Sequence, residues 1–62
     1  MIPLKDLPEG SKFKYPKPTA LKGVYVKGSI AEAYDSNFFY VHEDGIPNDK
    51  FVSSQGLEVI PI

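Results

Sequence analysis

The chain has no cysteine, no arginine and no tryptophan, and it has only one histidine. Without cysteine no disulfide can form, and one histidine falls short of the three or four ligands of a typical transition-metal site. No stretch approaches the about 20 apolar residues of a membrane span, and residues 1–6 lack the basic-then-apolar pattern of a signal peptide. We therefore expect a soluble cytoplasmic protein that needs no membrane, metal or cofactor.

The length of 62 residues predicts one small domain, spanning residues 1–62, near the lower limit for independent folding. A chain of this size buries only about 60% of its unfolded surface, and small scaffolds often compensate with disulfides, metals or oligomerisation. The first two are not expected here. Either the core is sufficient by itself or the chain associates with itself as a homo-oligomer.

Glycine and proline recur at short intervals, which favours several short strands over helices. Leu7-Pro8-Glu9-Gly10 has the pattern of a turn, and the segment after it places Phe13 and Tyr15 on one face and lysines on the other. The predicted strands, five in number, are residues 11–15, 21–27, 38–43, 49–54 and 57–60.

The segment between the second and third predicted strands is ambiguous. Gly28-Ser29 predicts a bulge or a bend. Residues 30–34 either extend the strand beyond it or form one helical turn capped by Ser29 with Glu32 three residues later. We favour the extension, followed by a turn at Asp35-Ser36-Asn37.

The third predicted strand is apolar on both faces. Phe39 and Val41 supply one face, and Phe38 and Tyr40 supply the other. In a chain this small only one face can line the core, so the second needs a loop, a second copy or a partner to cover it. We predict that Phe39 and Val41 are core, together with Phe13 and Phe51, and that a partner-binding set is formed by Tyr25, Phe38 and Tyr40.

Five short strands in about 60 residues predict an all-β fold, a small five-stranded SH3-like barrel. Over residues 7–62 the chain resembles the barrels of the photosystem I accessory subunit and of KOW-type modules. Gly10-Ser11-Lys12 and Gly23-Val24-Tyr25-Val26 match the start and the second strand of those barrels. The patterns are short, and fold does not carry function. The alternative, an OB-like barrel, usually needs a longer chain.

No residue set specifies a reaction. His42 is followed by Glu43 and Asp44, but neighbours along a strand point to opposite faces. Residues 44–49 do not have the spacing of a calcium loop. Type II dihydrofolate reductases assemble similar barrels around a shared pore, but Lys50-Phe51-Val52-Ser53 stands where they carry Val-Gln-Ile-Tyr, so their activity does not carry over.

Charge weighs against nucleic acid as the main partner. The net charge is −1, although six of the seven lysines lie in the first 27 residues and could form a basic strip. Aromatics flanked by lysines can stack single-stranded bases. In that alternative Lys22 and Lys27 would make the contacts, because they lie nearest to the predicted aromatic set.

The sequence therefore predicts a non-enzymatic protein-binding module or accessory, regulatory protein, of the kind found in phages and mobile elements. Its partner is a protein or a second copy of the chain. Two alternatives stay open: a barrel that binds single-stranded nucleic acid, and a subunit of an oligomeric enzyme with a shared pore.

Overall fold

A computed structural model describes residues 1–34 and 37–62. Within them the chain forms an all-β domain of antiparallel strands in one sheet, in the order β1-β6-β2-β3-β4-β5. The all-β prediction is confirmed. None of the helical structure in the described ranges has the length and apolar character needed to cross a membrane. The elements are β1 (Ile2–Pro3), a 3-10 turn (Leu4–Asp6), β2 (Lys12–Lys14), β3 (Tyr25–Ile30), β4 (Phe38–Glu43), β5 (Phe51–Ser54) and β6 (Glu58–Pro61).

Strand β2 begins after a tight turn, as predicted, but the turn lies one residue later. The Ser11 amide donates to the Pro8 carbonyl at 3.1 Å, and Gly10 adopts a φ of 89°. Positive φ at this position favours glycine, which has no Cβ to clash. The strand that follows buries Phe13 and exposes Lys12 and Lys14, as the alternating sequence predicts.

Strand β3 contains the predicted bulge. Its pairing with β4 shifts register between Lys27 and Ile30. The prediction that this strand continues to Tyr34 is wrong, because the Tyr34 amide donates to the Ala31 carbonyl at 3.0 Å in a turn. Asp35 and Ser36 of the next predicted turn lie outside the described residues.

Strand β4 has the predicted bounds, whereas the N-terminal elements were not predicted. Ile2 pairs with Val59 in β6. The 3-10 turn is hydrogen-bonded to the connection between β5 and β6, because the Leu4 amide donates to the Leu57 carbonyl at 2.8 Å. These contacts bring Leu4 into the core, where it is fully buried.

The core combines aliphatic residues with a cluster of aromatic rings. Tyr15 packs edge-on against Phe13 and against Tyr25, with centroids 5.2 Å apart in both pairs. Phe39 and Phe51 are half-buried against this cluster, so the predicted aromatic core residues are confirmed. The buried members of the cluster are Leu4, Leu7, Phe13, Tyr15, Tyr25, Val41 and Val59.

The sheet is strongly curved. Strands β2 and β5 are three strand spacings apart, which is about 14 Å in a flat sheet. Yet the ring of Tyr15, just after β2, lies 6.5 Å from the ring of Phe51 in β5. The inner face is therefore concave and encloses the aromatic core, and the opposite face of β3, β4 and β5 is convex.

Candidate functional site

Phe38 and Tyr40 lie on the convex face of β4. Side chains alternate along a strand, and Val41 between Tyr40 and His42 is fully buried. Phe39 packs against the core from the same side as Val41. Phe38 and Tyr40 therefore point away from the core and are only half-buried, as predicted for two of the three partner-binding residues.

Neighbouring elements extend this surface. Tyr40 stands opposite Val52 of β5, which places both side chains on the convex face. Tyr34, from the turn after β3, packs edge-on against Tyr40 with a centroid distance of 6.3 Å and is 66% exposed. We call Tyr34, Phe38, Tyr40 and Val52 the outer aromatic face. The Nζ atom of Lys50 lies 6.0 Å from the Tyr40 ring at its border.

Gly28 fits closely against Tyr40. A Cβ atom at position 28 would lie 3.0 Å from the Tyr40 carbonyl oxygen and 3.4 Å from its Cβ. The first of these distances is tighter than backbone atoms normally allow. Glycine at the bulge thus permits β3 to approach β4 beside Tyr40.

Tyr25 does not belong to the outer aromatic face, so this part of the prediction is wrong. Its side chain is 6% exposed and lies in the core, where its ring is 5.8 Å from that of Phe51. Tyr25 stands opposite Phe13 in the ladder between β2 and β3. Directly opposed residues share a face, so the inward direction of Phe13 fixes that of Tyr25.

Lys27 is likewise buried, which contradicts its predicted availability to nucleic acid. Its ammonium group donates to the carbonyl oxygens of Leu7 and Lys5 and lies 4.0 Å from the centre of the Phe39 ring. Burial lowers the pKa of this group, while the charges of Asp6 and Glu9 act in the opposite direction. The ammonium group stabilises the folded chain internally and is not presented to a ligand.

Lys22 is exposed and lines a cleft on another part of the surface. The cleft has a volume of about 930 Å³ and opens between the segment after β2 and strand β6. We call it the lysine cleft. It is lined by Lys14, Tyr15, Lys17, Pro18, Thr19, Leu21, Lys22 and Ile60. The structure therefore separates the two lysines that the sequence reading had grouped.

Sequence reasoning missed several members of these two surfaces. Tyr34 was assigned to a strand, although it reaches Tyr40 from a turn. Lys14 and Lys17 were noted only as part of a basic strip, and their grouping with Lys22 depends on how the chain folds back after Pro16. In the sequence these lysines are marked only by their alternation with prolines in residues 14–18, and that pattern does not predict a cleft.

Neither surface has the side chains of a reaction centre. His42 is half-buried on the convex face opposite Val26. Within residues 1–34 and 37–62 no group of three or more histidine, cysteine, aspartate or glutamate side chains could hold a metal ion.

Comparisons with protein-family models, curated proteins and solved structures found no match to this chain.

Proposed function

We propose that this chain is a non-enzymatic protein-binding module whose outer aromatic face is buried against a protein partner. One observation carries the proposal: Phe38 and Tyr40 are only half-buried, on a face that no second layer of the described structure covers. The 3-10 turn, the one helical element of the described residues, packs its Leu4 on the concave side.

The composition of the face favours a protein over a charged ligand. Tyrosine and phenylalanine are enriched at the centres of protein interfaces, where charged residues are depleted. Covering the apolar parts of these rings would contribute roughly 25 cal/mol per Å² removed from water. The edge-on contact between Tyr34 and Tyr40 also restricts both rings before binding, which lowers the entropic cost of association.

We further propose that the curved sheet is a small SH3-like barrel, the fold that the sequence resembles. The last strand, β6, lies beside β2, and the order β6-β2-β3-β4-β5 then follows the chain from one strand to the next. This arrangement and the strong curvature of the sheet support the proposal. A barrel of this kind would hold the outer aromatic face rigid, as a docking surface requires.

The test compares two variants that each replace two side chains by serine. Phe38→Ser/Tyr40→Ser removes the centre of the outer aromatic face, and Ile46→Ser/Leu57→Ser removes two exposed apolar side chains outside it. Each protein is immobilised and exposed to an extract of its source cells, and retained proteins are identified by mass spectrometry. We expect one partner to bind the wild type and the control variant stoichiometrically and to be lost from the face variant.

Light scattering on a sizing column over a tenfold concentration range separates the partner from self-association. A monomer whose partner depends on Phe38 and Tyr40 supports the proposal. A dimer that the face variant abolishes would assign the face to a second copy of the chain. Equal retention of every partner by both variants, with both folded, would exclude this face as the binding site.

A further inference from the structure

The lysine cleft gathers three cationic groups that have no acidic partner in the described part of the chain. Lys14, Lys17 and Lys22 line it, and no carboxylate does. The other lysines contrast with them. Lys12 forms an ion pair with Asp44 at 3.2 Å, and Lys27 is bound by backbone carbonyls. Within residues 1–34 and 37–62 no ion pair or hydrogen bond engages the ammonium groups of the three cleft lysines.

The rest of the cleft is largely apolar. Leu21 packs against the hydrophobic core from one side and is half-buried, while Ile60 is 40% exposed. Pro18 adds a rigid apolar surface between Lys17 and Leu21. Tyr15 adds little exposed surface to the cleft, because its side chain is buried and its hydroxyl is hydrogen-bonded to Ser53.

We propose that the lysine cleft binds an acidic, partly apolar segment of a protein, with carboxylates at Lys14, Lys17 and Lys22 and an apolar side chain against Leu21 and Ile60. Charge complementarity assigns the sign of the ligand, because three lysines without an acidic partner line the cleft and no carboxylate does. The apolar surface of Leu21 and Ile60 favours apolar side chains between the carboxylates of the ligand. A volume of about 930 Å³ accommodates several residues of an extended segment.

A peptide fits these observations better than a nucleic acid. Single strands are held largely by aromatic rings on which bases stack. The one aromatic residue that lines the cleft, Tyr15, has its ring in the core. The lysines lack the bidentate geometry with which arginine grips phosphates. A peptide whose carboxylates are separated by apolar side chains can contact both the three lysines and the apolar residues Leu21 and Ile60.

The experiment measures binding of a fluorescein-labelled peptide in which glutamate and leucine alternate, by fluorescence anisotropy. A matched peptide with glutamine in place of glutamate isolates the charge, and labelled oligothymidine represents nucleic acid. We expect the acidic peptide to bind at least about tenfold more tightly than the glutamine peptide, with an affinity that falls as salt is raised. Salt-independent binding by the wild type, or equal binding of the two peptides, would overturn the proposal.

Two variants with the same change in net charge complete the test. Lys14→Gln/Lys17→Gln/Lys22→Gln empties the cleft of cations, and Lys5→Gln/Lys12→Gln/Lys50→Gln removes three exposed lysines outside it. The cleft variant should weaken peptide binding about tenfold, because exposed ion pairs are individually weak and three are lost together, and the control variant should weaken it far less. Equal losses in both, or tighter binding of oligothymidine than of the peptide, would contradict a peptide site.

The cleft proposal is independent of the outer aromatic face. Phe38→Ser/Tyr40→Ser should bind the acidic peptide with unchanged affinity, because none of the cleft residues lies on that face. If this variant loses peptide binding while it stays folded, the peptide occupies the aromatic face and the cleft proposal fails.

Discussion

The hydroxyl oxygens of Tyr15 and Ser53 lie 2.7 Å apart in a buried hydrogen bond between two elements that are not neighbours in the sheet. Tyr15 directly follows β2, and Ser53 lies in β5. Both polar groups are removed from water, so each depends on the other for its hydrogen bond. This pair links the two sides of the concave core across the aromatic rings.

Removing either hydroxyl should destabilise the chain. We expect Tyr15→Phe to lower the free energy of unfolding by about 1–2 kcal/mol, because it leaves the buried Ser53 hydroxyl without its partner. Ser53→Ala should have a similar effect. Urea denaturation of both single variants and of the double variant measures the coupling. If the two effects simply add, the hydroxyl groups do not interact in solution.

The same pair predicts a dependence of stability on pH. Burial raises the pKa of Tyr15, and the repulsion from Tyr25 adds to this, while the hydrogen bond from Ser53 opposes it. With a raised folded-state pKa, the contribution of the neutral phenol is complete below the unfolded pKa of about 10 and is lost as the pH rises above it. The difference in unfolding free energy between wild type and Tyr15→Phe should therefore stay constant up to a pH of about 10 and shrink as the pH rises further. A constant difference would show that Tyr15 titrates normally.

Lys27 should contribute more to stability as the pH rises. Lys27→Met leaves the carbonyls of Leu7 and Lys5 without their donor and should cost about 1–3 kcal/mol at pH 7. Burial lowers the pKa of Lys27 in the folded state. Below that folded-state pKa the free energy of unfolding of the wild type is therefore reduced by the cost of burying the charged ammonium group. The penalty disappears as the pH rises towards the unfolded value of about 10.4. Paired urea titrations should show the cost of Lys27→Met increasing with pH, and a stabilised methionine variant would contradict this account.

The two faces of β4 should respond differently to the same substitution. Val41→Ser places a hydroxyl in the fully buried core and should destabilise by about 3 kcal/mol. Phe38→Ser and Tyr40→Ser remove half-buried rings and should each leave a cooperative thermal transition in circular dichroism. If either variant unfolds at 25 °C, its ring is a core residue and cannot serve as a separable contact surface.

Two glycines provide a test of the close approach beside Tyr40. Gly28→Ala directs a Cβ atom at the Tyr40 backbone and should destabilise by about 1–3 kcal/mol. Gly23→Ala meets only the end of the flexible Glu43 side chain, which can move, so its effect on melting temperature should be small. Equal melting temperatures for the two variants would show that β3 can shift away from Tyr40 at no cost.

Much of the fold follows from local patterns in the sequence. Strand β4 has the predicted bounds because it begins with an apolar run and ends just before the Asp44-Gly45 turn. The inward direction of Phe13 follows from strict alternation with lysines. The short β1 strand was missed because two residues carry no alternation, and their pairing with β6 depends on the whole fold.

The errors at the candidate site come from contacts between strands. Tyr25 was assigned outward because two β-branched residues, Val24 and Val26, flank it and look like core residues. The pairing of Tyr25 with Phe13 sets the inward direction of the Tyr25 side chain, and this register cannot be read from a single sequence. Lys27 shares the inward face, where a charged residue is rarely expected without knowledge of its carbonyl partners.

Strand β4 is nearly symmetric in its hydrophobicity, with an aromatic or aliphatic side chain on either side at four successive positions. A slip of one residue would exchange Phe38 and Tyr40 for Phe39 and Val41 with little loss of apolar burial. Contacts with the two adjacent strands must therefore fix the register of β4: the close approach of Gly28 in β3 to Tyr40, and the hydrogen bond of Ser53 in β5 to Tyr15. A substitution that makes the convex face more apolar strengthens partner binding, but it also lowers the free energy of the slipped register relative to the native one. Higher partner affinity therefore comes at the expense of a unique register in the same strand.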